Sequence, residues 1–476
     1  MKMKKTFRKL TGMLLVAALC LTCAVACGPN PGRTPSNGDY EAGITLDPNI
    51  SANLKIGFYE NTDVKQHFEE LEKAFQLRYP NVSISIANYG SESYYMDLMQ
   101  EYNTNNMPDI IQTNATESFP LMEAGLLLDM DNFIQLENEK YVENKAKDPE
   151  FFQFENFEDQ FYESLWKLGQ KNYDGHQYFI PRSADRIVVY YNREQFIAAG
   201  VDMTTVRNGW TWEDFLAACE KLKIYYAANY SGKPFISGQW QWEAVLFPML
   251  ESAGGKVFDA NGNITLNSPE TLNAVNLLKD LVVKGYTKEK DPNSLAFETG
   301  TAAMQFASLY PDYYIKNLGE NLGIVTFPLI GRQSGDTVDY SNAKIGAGIT
   351  GYGIFSGLTG EKRELAWQFL SFSLSREGQE CMAKGGVTQP PIRKDMQDGS
   401  NLWRQNKGNL NLDAFFWGSE RNYSTNFFIV HEPSKQVDLM QAVINMFNEP
   451  IRGSGKDPQQ AVSDCVNVLD GIIKSN

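Results

Sequence analysis

An alternation of strand-like and helix-like segments near the start of the folded part constrains the fold more than any other feature of the sequence. Residues 54–59 and 82–86 have the short apolar or alternating pattern of strands, and residues 108–111 open a third, buried strand. The intervening segments 64–79 and 93–103 have the apolar spacing of helices. Strands that alternate with helices predict an α/β fold with a mainly parallel sheet covered by helices.

Later segments continue the pattern. Residues 187–191 form a further apolar strand, and a helix begins after Thr211, with Asp214 placed to complete a capping box. Helical spacing returns at 366–374 and 442–447. Because ligands on such sheets bind at the carboxyl ends of the strands, residues just beyond each strand are the first candidates for a binding site.

The first 27 residues have the pattern of an export signal. A basic start precedes an apolar run at 10–25, which is shorter than the ~20 residues of a membrane-spanning helix. Ala26 precedes Cys27, whose thiol can carry a diacylglycerol by a thioether bond, as in a bacterial lipobox. We expect 1–26 to be a lipoprotein signal peptide, and acyl chains such as palmitate to anchor the mature protein outside a bacterial cell membrane. A plain secretory signal with an incidental cysteine stays open.

The segment that follows the signal is expected to be a flexible tether. Residues 27–52 are rich in Pro, Gly, Asn and Ser and lack helical periodicity. The formal net charge is −15, and losing the five basic residues of the signal takes it to −20. Such a surface repels nucleic acids and anionic lipids, so we expect no nucleic acid partner and membrane contact through the lipid anchor only.

Composition describes an ordinary globular protein, and the chain from residue 53 onward suits two domains. Outside the signal it has Cys219, Cys381 and Cys465, an odd number without paired spacing, and three scattered histidines without zinc spacing. We therefore expect no disulfide scaffold, no metal and no cofactor. Aromatic residues make up 12% of the chain, and because aromatic faces stack on sugar rings this favours a carbohydrate ligand.

Six short motifs, in order, resemble the extracellular solute-binding proteins of bacterial ABC importers, in the sugar-binding family that includes the maltose-binding protein. Each motif alone is weak, but together they span roughly residues 54 to 475 behind a lipobox. They are Pro108-Asp109-Ile110-Ile111 with the segment 121–129, Pro181 through Tyr191-Asn192-Arg193-Glu194, Gly254-Gly255-Lys256-Val257-Phe258, Gly300-Thr301-Ala302-Ala303-Met304, the strand 323–329, and the segment 364–378.

The resemblance implies two α/β lobes joined by crossover strands, with the ligand in the cleft between them and hinge closure around it. It implies an N-lobe of residues 53–184 plus 326–386 and a C-lobe of residues 185–325 plus 387–476. It also implies a monomeric receptor that passes a small sugar to the transmembrane subunits of an ABC permease.

Four candidate ligand contacts follow from the predicted strand ends. Tyr59 and Glu60 end the first strand, and Asn114 and Thr116 lie just beyond the third. Sugar hydroxyls need polar partners in a closed cleft, because a buried hydroxyl left unpaired costs ~1–3 kcal/mol. Charged partners such as Glu60 make the stronger hydrogen bonds.

The resemblance adds four more candidates. Asp185 matches a sugar-contacting acid of the maltose-binding protein, and Trp240 and Trp242 lie in a region that resembles an acid-and-aromatic contact segment there. Tyr310 matches a stacking tryptophan, although its smaller ring and hydroxyl mean that the same sugar does not follow. The two tryptophans have a structural alternative as core residues on one face of an extended segment, and Tyr310 has one as a turn aromatic.

The charged candidates at the predicted hinge also have alternatives. Asp185 either contacts the sugar or pairs with Arg182 or Arg186. Arg182 either binds an acidic sugar or forms a surface ion pair. His431 either reaches the cleft from the C-lobe or is a structural histidine.

Three motif matches are discounted. Residues 346–351 match G-x-G-x-x-G, but a strand rather than a helix follows. Residues 453–456 lack the first glycine and the Ser/Thr of a phosphate-binding loop. Residues 259–270 echo a calcium loop, but Ile264 stands at its obligatory glycine, and Asn261-Gly262 is better interpreted as a hairpin turn.

We therefore predict a non-catalytic, lipid-anchored receptor for a carbohydrate, with no catalytic residue assigned. Two alternatives stay open. One is an exported glycoside hydrolase, because carboxylates are plentiful although no catalytic pair is placed. The other is a binding protein for a solute that is not a sugar.

Overall fold

The structure, a computed structural model, describes most of the chain from residue 40 onward. The side chains at 65–67, 144, 147, 183–185, 349 and 433 lie outside the described part. The described residues are 40–59, 65–90, 93–114, 118–147, 154–170, 175–238, 240–289, 296–308, 311–384, 390–397, 402–405, 407–425, 427, 430–453 and 455–475.

Strands and helices alternate through the first third of the chain, as the sequence predicts. The strands are β1 (Ala52–Phe58), β2 (Val82–Asn88), β3 (Ile110–Asn114), β4 (Ile180–Arg186), β5 (Val188–Asn192), β6 (Ile236–Gly238), β7 (Met304–Ala307), β8 (Leu322–Thr326), β9 (Arg332–Ser334), β10 (Thr337–Asp339), β11 (Ile345–Ile354) and β12 (Asn422–Tyr423). The α-helices are Lys65–Phe75, Tyr94–Asn103, Ser118–Glu123, Asp131–Lys147, Glu163–Trp166, Arg193–Ala198, Trp212–Asn229, Glu243–Ala253, Pro269–Val283, Asp312–Leu318, Gly360–Leu374, Arg376–Met382, Gln436–Asn448 and Pro458–Lys474.

Local sequence signals set several of these boundaries. The helix Trp212–Asn229 begins with the predicted capping box, in which the Thr211 hydroxyl accepts from the Asp214 amide and the Asp214 carboxylate accepts from the Thr211 amide. Both bonds satisfy amides that the first turn of a helix leaves without intrahelical partners.

The first sheet is mixed rather than mainly parallel. β1 pairs in parallel with β2 and β3, as predicted, but β11 runs antiparallel to both β3 and β4. The parallel strands are joined by helical crossovers, whereas β4 and β11 enter the sheet from distant parts of the chain, so the crossover argument does not fix their direction. The predicted α/β class is confirmed, and the parallel pairs of this sheet are β1 with β2, β1 with β3, and β11 with β12.

The second sheet has the order β6-β7-β5-β8, with β5 antiparallel to both neighbours. Its central strand β5 is buried on both faces, with Val189 and Tyr191 in one apolar cluster and Val188 and Tyr190 in another. Alternate side chains of a strand point to opposite faces, so two apolar layers explain why β5 is apolar throughout.

Three apolar clusters divide between two lobes that β4 and β11 connect. The cluster on the first sheet is the first core; the second sheet has one cluster on each face, and the one that contains Val189 is the second core. Ile180 at the start of β4 packs in the first core, and Ile187 directly after β4 packs in the second. Likewise Ile345 at the start of β11 belongs to the second core and Ile354 at its end to the first. The chain therefore crosses between the lobes along both strands.

One stretch packs differently from the predicted division of the chain. Phe327, Leu329, Ile330 and Ala343 belong to the second core, although they lie in the 326–386 segment that the sequence assigns to the N-lobe. This packing places the return crossing along β11 rather than near Thr326. The lobe boundaries as a whole stay a prediction.

The glycines of the discounted G-x-G-x-x-G match lie in β11. A Cβ atom on Gly346 would come within 1.6 Å of the Ala244 carbonyl oxygen, and one on Gly351 within 2.0 Å of the Ile180 carbonyl oxygen. Glycine is the residue that allows so close a backbone approach. Packing at the crossing strands therefore accounts for these two glycines without a nucleotide.

The described part of the predicted tether is attached to the first lobe. The Glu364 carboxylate is 2% exposed and accepts hydrogen bonds from the amides of Gly43, at 2.8 Å, and Ile44, at 3.1 Å. Leu46 is buried in the first core, and the Tyr40 hydroxyl donates to the Asp129 carbonyl oxygen at 2.7 Å. Residues 40–46, which we call the strap, thus contact the first lobe, and the flexibility predicted for 27–52 stays a prediction. Residues 27–39 lie outside the described residues.

Two further findings concern segments and residues singled out in the sequence. Within the described ranges, no helix is long and apolar enough to cross a membrane. Cys219, Cys381 and Cys465 are buried free thiols. The signal peptide and the lipid-attachment residue Cys27 lie outside the described residues.

Candidate ligand-binding site

The carboxyl ends of β1 and β3 bring two of the predicted contacts together. Asn114 ends β3 and donates a hydrogen bond from Nδ2 to the Tyr59 hydroxyl at 3.2 Å. Both side chains are half-buried. Because β1 and β3 are parallel neighbours, their ends meet at one edge of the sheet, which is why sequence reasoning placed these residues together.

An aromatic neighbour supports Tyr59. Its ring centroid lies 4.7 Å from that of Tyr94, a separation typical of favourable aromatic pairs. Tyr94 is 2% exposed, and its hydroxyl donates to the carbonyl oxygen of Gln112 at 2.6 Å. The Tyr59 ring is therefore supported by a side chain that the first core fixes.

Sequence reasoning missed one neighbour and misjudged another. Thr350 of β11 pairs in register with Asn114, and its hydroxyl accepts a hydrogen bond from Arg182 Nη2 at 3.3 Å. Arg182 is 1% exposed, so the interpretation as a surface ion pair is wrong. Its guanidinium carbon lies 5.5 Å from the centre of the Tyr352 ring. We call Tyr59, Asn114, Arg182 and Thr350 the strand-end site.

The chemistry of the strand-end site suits a polyhydroxylated solute. It combines a phenol ring, a carboxamide, a hydroxyl and a guanidinium, which together offer donors, acceptors and an aromatic face. The residues come from β1, β3, β4 and β11, and the last two strands also connect the lobes. The set is therefore held together in the first sheet, next to the strands that continue into the second lobe.

Four other predicted contacts fall where the structure gives no side chain. Glu60, Thr116 and Tyr310 lie outside the described residues. Asp185 is described by its backbone alone, which pairs with Gly348. Their roles in binding stay predictions.

The two tryptophans lie in the second lobe. Trp240 has no exposed surface and belongs to the second core, in a turn rather than an extended segment. Trp242 is half-buried, packs against the same core and precedes the helix Glu243–Ala253. This packing favours the core role of Trp240, and ligand contact by either residue stays a prediction.

A cluster of metal-ligating residue types lies at the start of the helix Asp131–Lys147. His176 Nδ1 lies 2.7 Å from Asp131 Oδ2 and 3.1 Å from Asp129 Oδ2. The remaining carboxylate oxygens accept backbone hydrogen bonds from Asp131 and Gln177, each at 3.0 Å. These bonds give the cluster a structural role at the helix start, and we assign no metal to it.

The calcium-like segment is a turn, as predicted. Asp259 accepts hydrogen bonds from the amides of Asn261, at 2.8 Å, and Asn263, at 2.9 Å, and Phe258 forms a bridge with Ile264. The hydrogen bonds from Asn263 lower the pKa of the Asp259 carboxyl. The carboxylate therefore holds its own hairpin together.

Two α/β lobes, joined by two crossing strands with polar side chains at a sheet edge beside them, define a solute-binding protein fold. The family model described as bacterial extracellular solute-binding protein matches residues 70–410. The chain belongs to this family.

Relatives and solved structures agree with this assignment. The arabinooligosaccharide-binding protein of Halalkalibacterium halodurans is 23% identical over 335 residues, which are 66% of this chain and 70% of that protein. The sn-glycerol-3-phosphate-binding periplasmic protein UgpB of Shigella dysenteriae is 23% identical over 291 residues, 56% of this chain and 59% of that protein. The ABC substrate-binding protein Lmo0181 of Listeria monocytogenes, solved in complex with cycloalternan, superposes with a TM-score of 0.68 at 18% identity, covering 90% of this chain and 100% of that chain.

Proposed function

We propose that the protein is a lipid-anchored extracellular receptor that captures a carbohydrate, most simply an oligosaccharide, for an ABC importer without chemically changing it. The observation that carries the proposal is the strand-end site. It joins Tyr59 and Asn114 of the first sheet to Arg182 and Thr350 of the crossing strands. One relative is named for arabinooligosaccharide, and one similar solved structure is a complex with cycloalternan; both support the choice of an oligosaccharide.

Closure of the lobes would couple binding to delivery. A ligand shifts a conformational equilibrium only when it binds one state better than the other. The strand-end site lies wholly in the first sheet, so a ligand held there would meet this condition by also contacting the second lobe, into which β4 and β11 continue. The closed, loaded form is then the one that the transmembrane subunits of a permease would recognise.

The first test is a thermal-shift and calorimetric screen of mono- and oligosaccharides against the purified protein. A bound sugar stabilises the folded state by about 2.7 kcal/mol at a concentration of 100 Kd, so Tm should rise with sugar concentration. Absence of any shift across the panel contradicts a sugar receptor. Appearance of shortened products contradicts a non-catalytic one.

With the bound sugar identified, Asn114→Ala should weaken binding about tenfold, because a buried hydrogen bond lost from one partner costs ~1–3 kcal/mol. Asn53→Ala is the matched control, since Asn53 is an exposed amide at the opposite end of β1 and its Nδ2 donates to Ser83 Oγ at 3.0 Å. Calorimetry measures both. Equal affinities of Asn114→Ala and wild type would remove Asn114 from the site.

The lipid anchor is tested in cells by Cys27→Ser. This variant should lose incorporation of labelled palmitate and move from the membrane fraction to the soluble extracytoplasmic fraction, because the acylated thiol is absent. Cys23→Ser, which changes a neighbouring signal cysteine that follows Thr22 rather than a small apolar residue, should stay acylated. Unchanged labelling of Cys27→Ser would show that the anchor is elsewhere.

A further inference from the structure

Arg186 is a buried cation at the junction of the lobes. It is the last residue of β4, pairs with Ala347 of β11 and is 1% exposed. The next residue, Ile187, already packs in the second core, and its amide donates to the Gly346 carbonyl oxygen at 2.9 Å. The guanidinium is thus held where the chain passes from one lobe to the other.

Few hydrogen bonds or opposite charges offset the desolvation cost of this buried guanidinium. Nη2 donates to the Gly418 carbonyl oxygen at 3.2 Å, while Nε and Nη1 have no hydrogen-bond partner within the part of the chain that the structure describes. Glu420 is the acid that most raises the pKa of Arg186, but its side chain is 73% exposed and lies 3.7 Å from Arg421 Nε. Burial is the stronger effect and lowers the pKa of Arg186 to about 9, so the group stays charged at neutral pH.

Another buried arginine, Arg393, has the carboxylate partner and hydrogen bonds that offset the desolvation cost of its charge. Arg393 is 4% exposed and makes two hydrogen bonds to the Asp395 carboxylate, from Nε at 3.0 Å and from Nη2 at 2.9 Å. Its Nη1 also donates to Gln160 and, at 3.4 Å, to the Tyr141 hydroxyl. Arg393 and Asp395 therefore form a structural ion pair. Arg186 differs from Arg393 in having free donors and no carboxylate partner among the described residues.

A buried cation without an acceptor is costly, because a charge removed from water needs both hydrogen bonds and an opposite charge. A neutral hydroxyl supplies only the hydrogen bonds. A carboxylate or phosphate supplies both, and charge-assisted hydrogen bonds are the stronger kind. An anionic partner is thus the chemistry that best fits the free donors of Arg186.

We propose that Arg186 binds an anionic group, a carboxylate or a phosphate, of the solute that the protein captures. The inference rests on the proposed function, since it assigns an acidic character to the ligand of the same receptor. The name of UgpB specifies sn-glycerol 3-phosphate, an acidic solute, for a relative of this chain.

Access to Arg186 requires the lobes to separate. A cavity of about 20 Å³ lies between Tyr162 and Leu165 on one side and Phe416, Ser419 and Asn422 on the other. Ser419 directly follows Gly418, whose carbonyl oxygen accepts from Arg186. A space of this size holds about one water molecule. The proposal therefore has an acidic group reach the guanidinium when the lobes separate and become enclosed when they close.

Calorimetry with two matched pairs of probes tests the proposal on the full mature chain. The pairs are trigalacturonate with galactotriose, and sn-glycerol 3-phosphate with glycerol. We expect at least one acidic member to bind tenfold or more tightly than its neutral partner. We expect Arg186→Met to remove that preference by weakening binding of the acidic member at least tenfold.

The outcomes distinguish failure of the proposed role of Arg186 from failure of the proposed sugar-receptor function. Equal affinities within both pairs overturn the role of Arg186, and if the two sugars bind, the sugar receptor is left standing. Binding of sn-glycerol 3-phosphate without either sugar supports Arg186 and overturns the carbohydrate assignment. Acidic preference that survives in Arg186→Met overturns the assignment to this residue.

Stability in the absence of ligand gives a second readout. Arg186→Met should leave Tm unchanged or raise it, because replacing a poorly compensated buried charge by an apolar side chain removes its desolvation cost. Arg393→Met, the control, should lower Tm, because it leaves the Asp395 carboxylate without its partner. Equal losses in both variants would show that Arg186 is a structural residue and would overturn the proposal.

Discussion

Trp240→Ala should lower the free energy of unfolding by about 3–5 kcal/mol, the usual cost of removing a fully buried large aromatic side chain. Trp240 has no exposed surface and belongs to the second core, so removing its indole leaves a cavity that close-packed neighbours fill only in part. Its indole nitrogen has no hydrogen-bond acceptor among the described residues, so packing alone accounts for the expected loss. Urea denaturation followed by circular dichroism measures the change.

Trp242→Ala is the matched control for this prediction. Trp242 is half-buried at the edge of the same core, so its loss should destabilise the protein by clearly less. Sugar affinity measured on the folded fraction of both variants distinguishes a role in core packing from a role in ligand contact. A Trp240→Ala protein that keeps its stability but loses its ligand would contradict the core role and restore the ligand contact that the sequence suggested.

Glu364→Ala should release the strap from the N-lobe. The carboxylate accepts from the amides of Gly43 and Ile44, and its other oxygen accepts from Gln368 Nε2 at 3.0 Å. Hydrogen bonds to a charged group contribute about 1.5–3 kcal/mol each, so amide exchange at these two positions should accelerate on the order of tenfold to hundredfold. Hydrogen exchange resolved to residues 43 and 44 measures the effect.

Glu361→Ala gives the comparison, because Glu361 is an exposed carboxylate on the first turn of the same helix. It should leave exchange at Gly43 and Ile44 at the wild-type rate. If Glu364→Ala also exchanges at that rate, Leu46 and Tyr40 hold the strap without the carboxylate, and the assigned role of Glu364 is wrong.

Local signals were sufficient for much of the fold. The helix start at Thr211 follows from a hydroxyl and a carboxylate three residues apart, and β5 follows from an uninterrupted apolar run. The pairing of Tyr59 with Asn114 was predictable because parallel neighbours must end at the same edge. Each of these inferences needs only residues close in sequence or one topological rule.

Contacts between segments that are distant in the chain could not be predicted from the sequence. Thr350 joins the strand-end site because β11 returns to pair with Asn114, more than 200 residues earlier in the chain, and no local pattern reports such a partner. The burial of Arg182 depends on the same return. Composition alone described residues 40–46 as flexible, since the buried carboxylate that holds them comes from Glu364.

Because residues 40–46 are attached to the first lobe, the linker between the proposed lipid anchor and the folded receptor is shorter than the predicted tether. With acylation at Cys27, thirteen residues separate lipid from strap, and even fully extended at roughly 3.5 Å per residue they reach no farther than about 45 Å. A receptor confined to so thin a layer meets membrane-embedded partners at a high effective concentration, which falls as a linker lengthens. A modest affinity for the permease would then suffice for delivery. Releasing the strap would lengthen the linker and lower the effective concentration of the receptor at the permease.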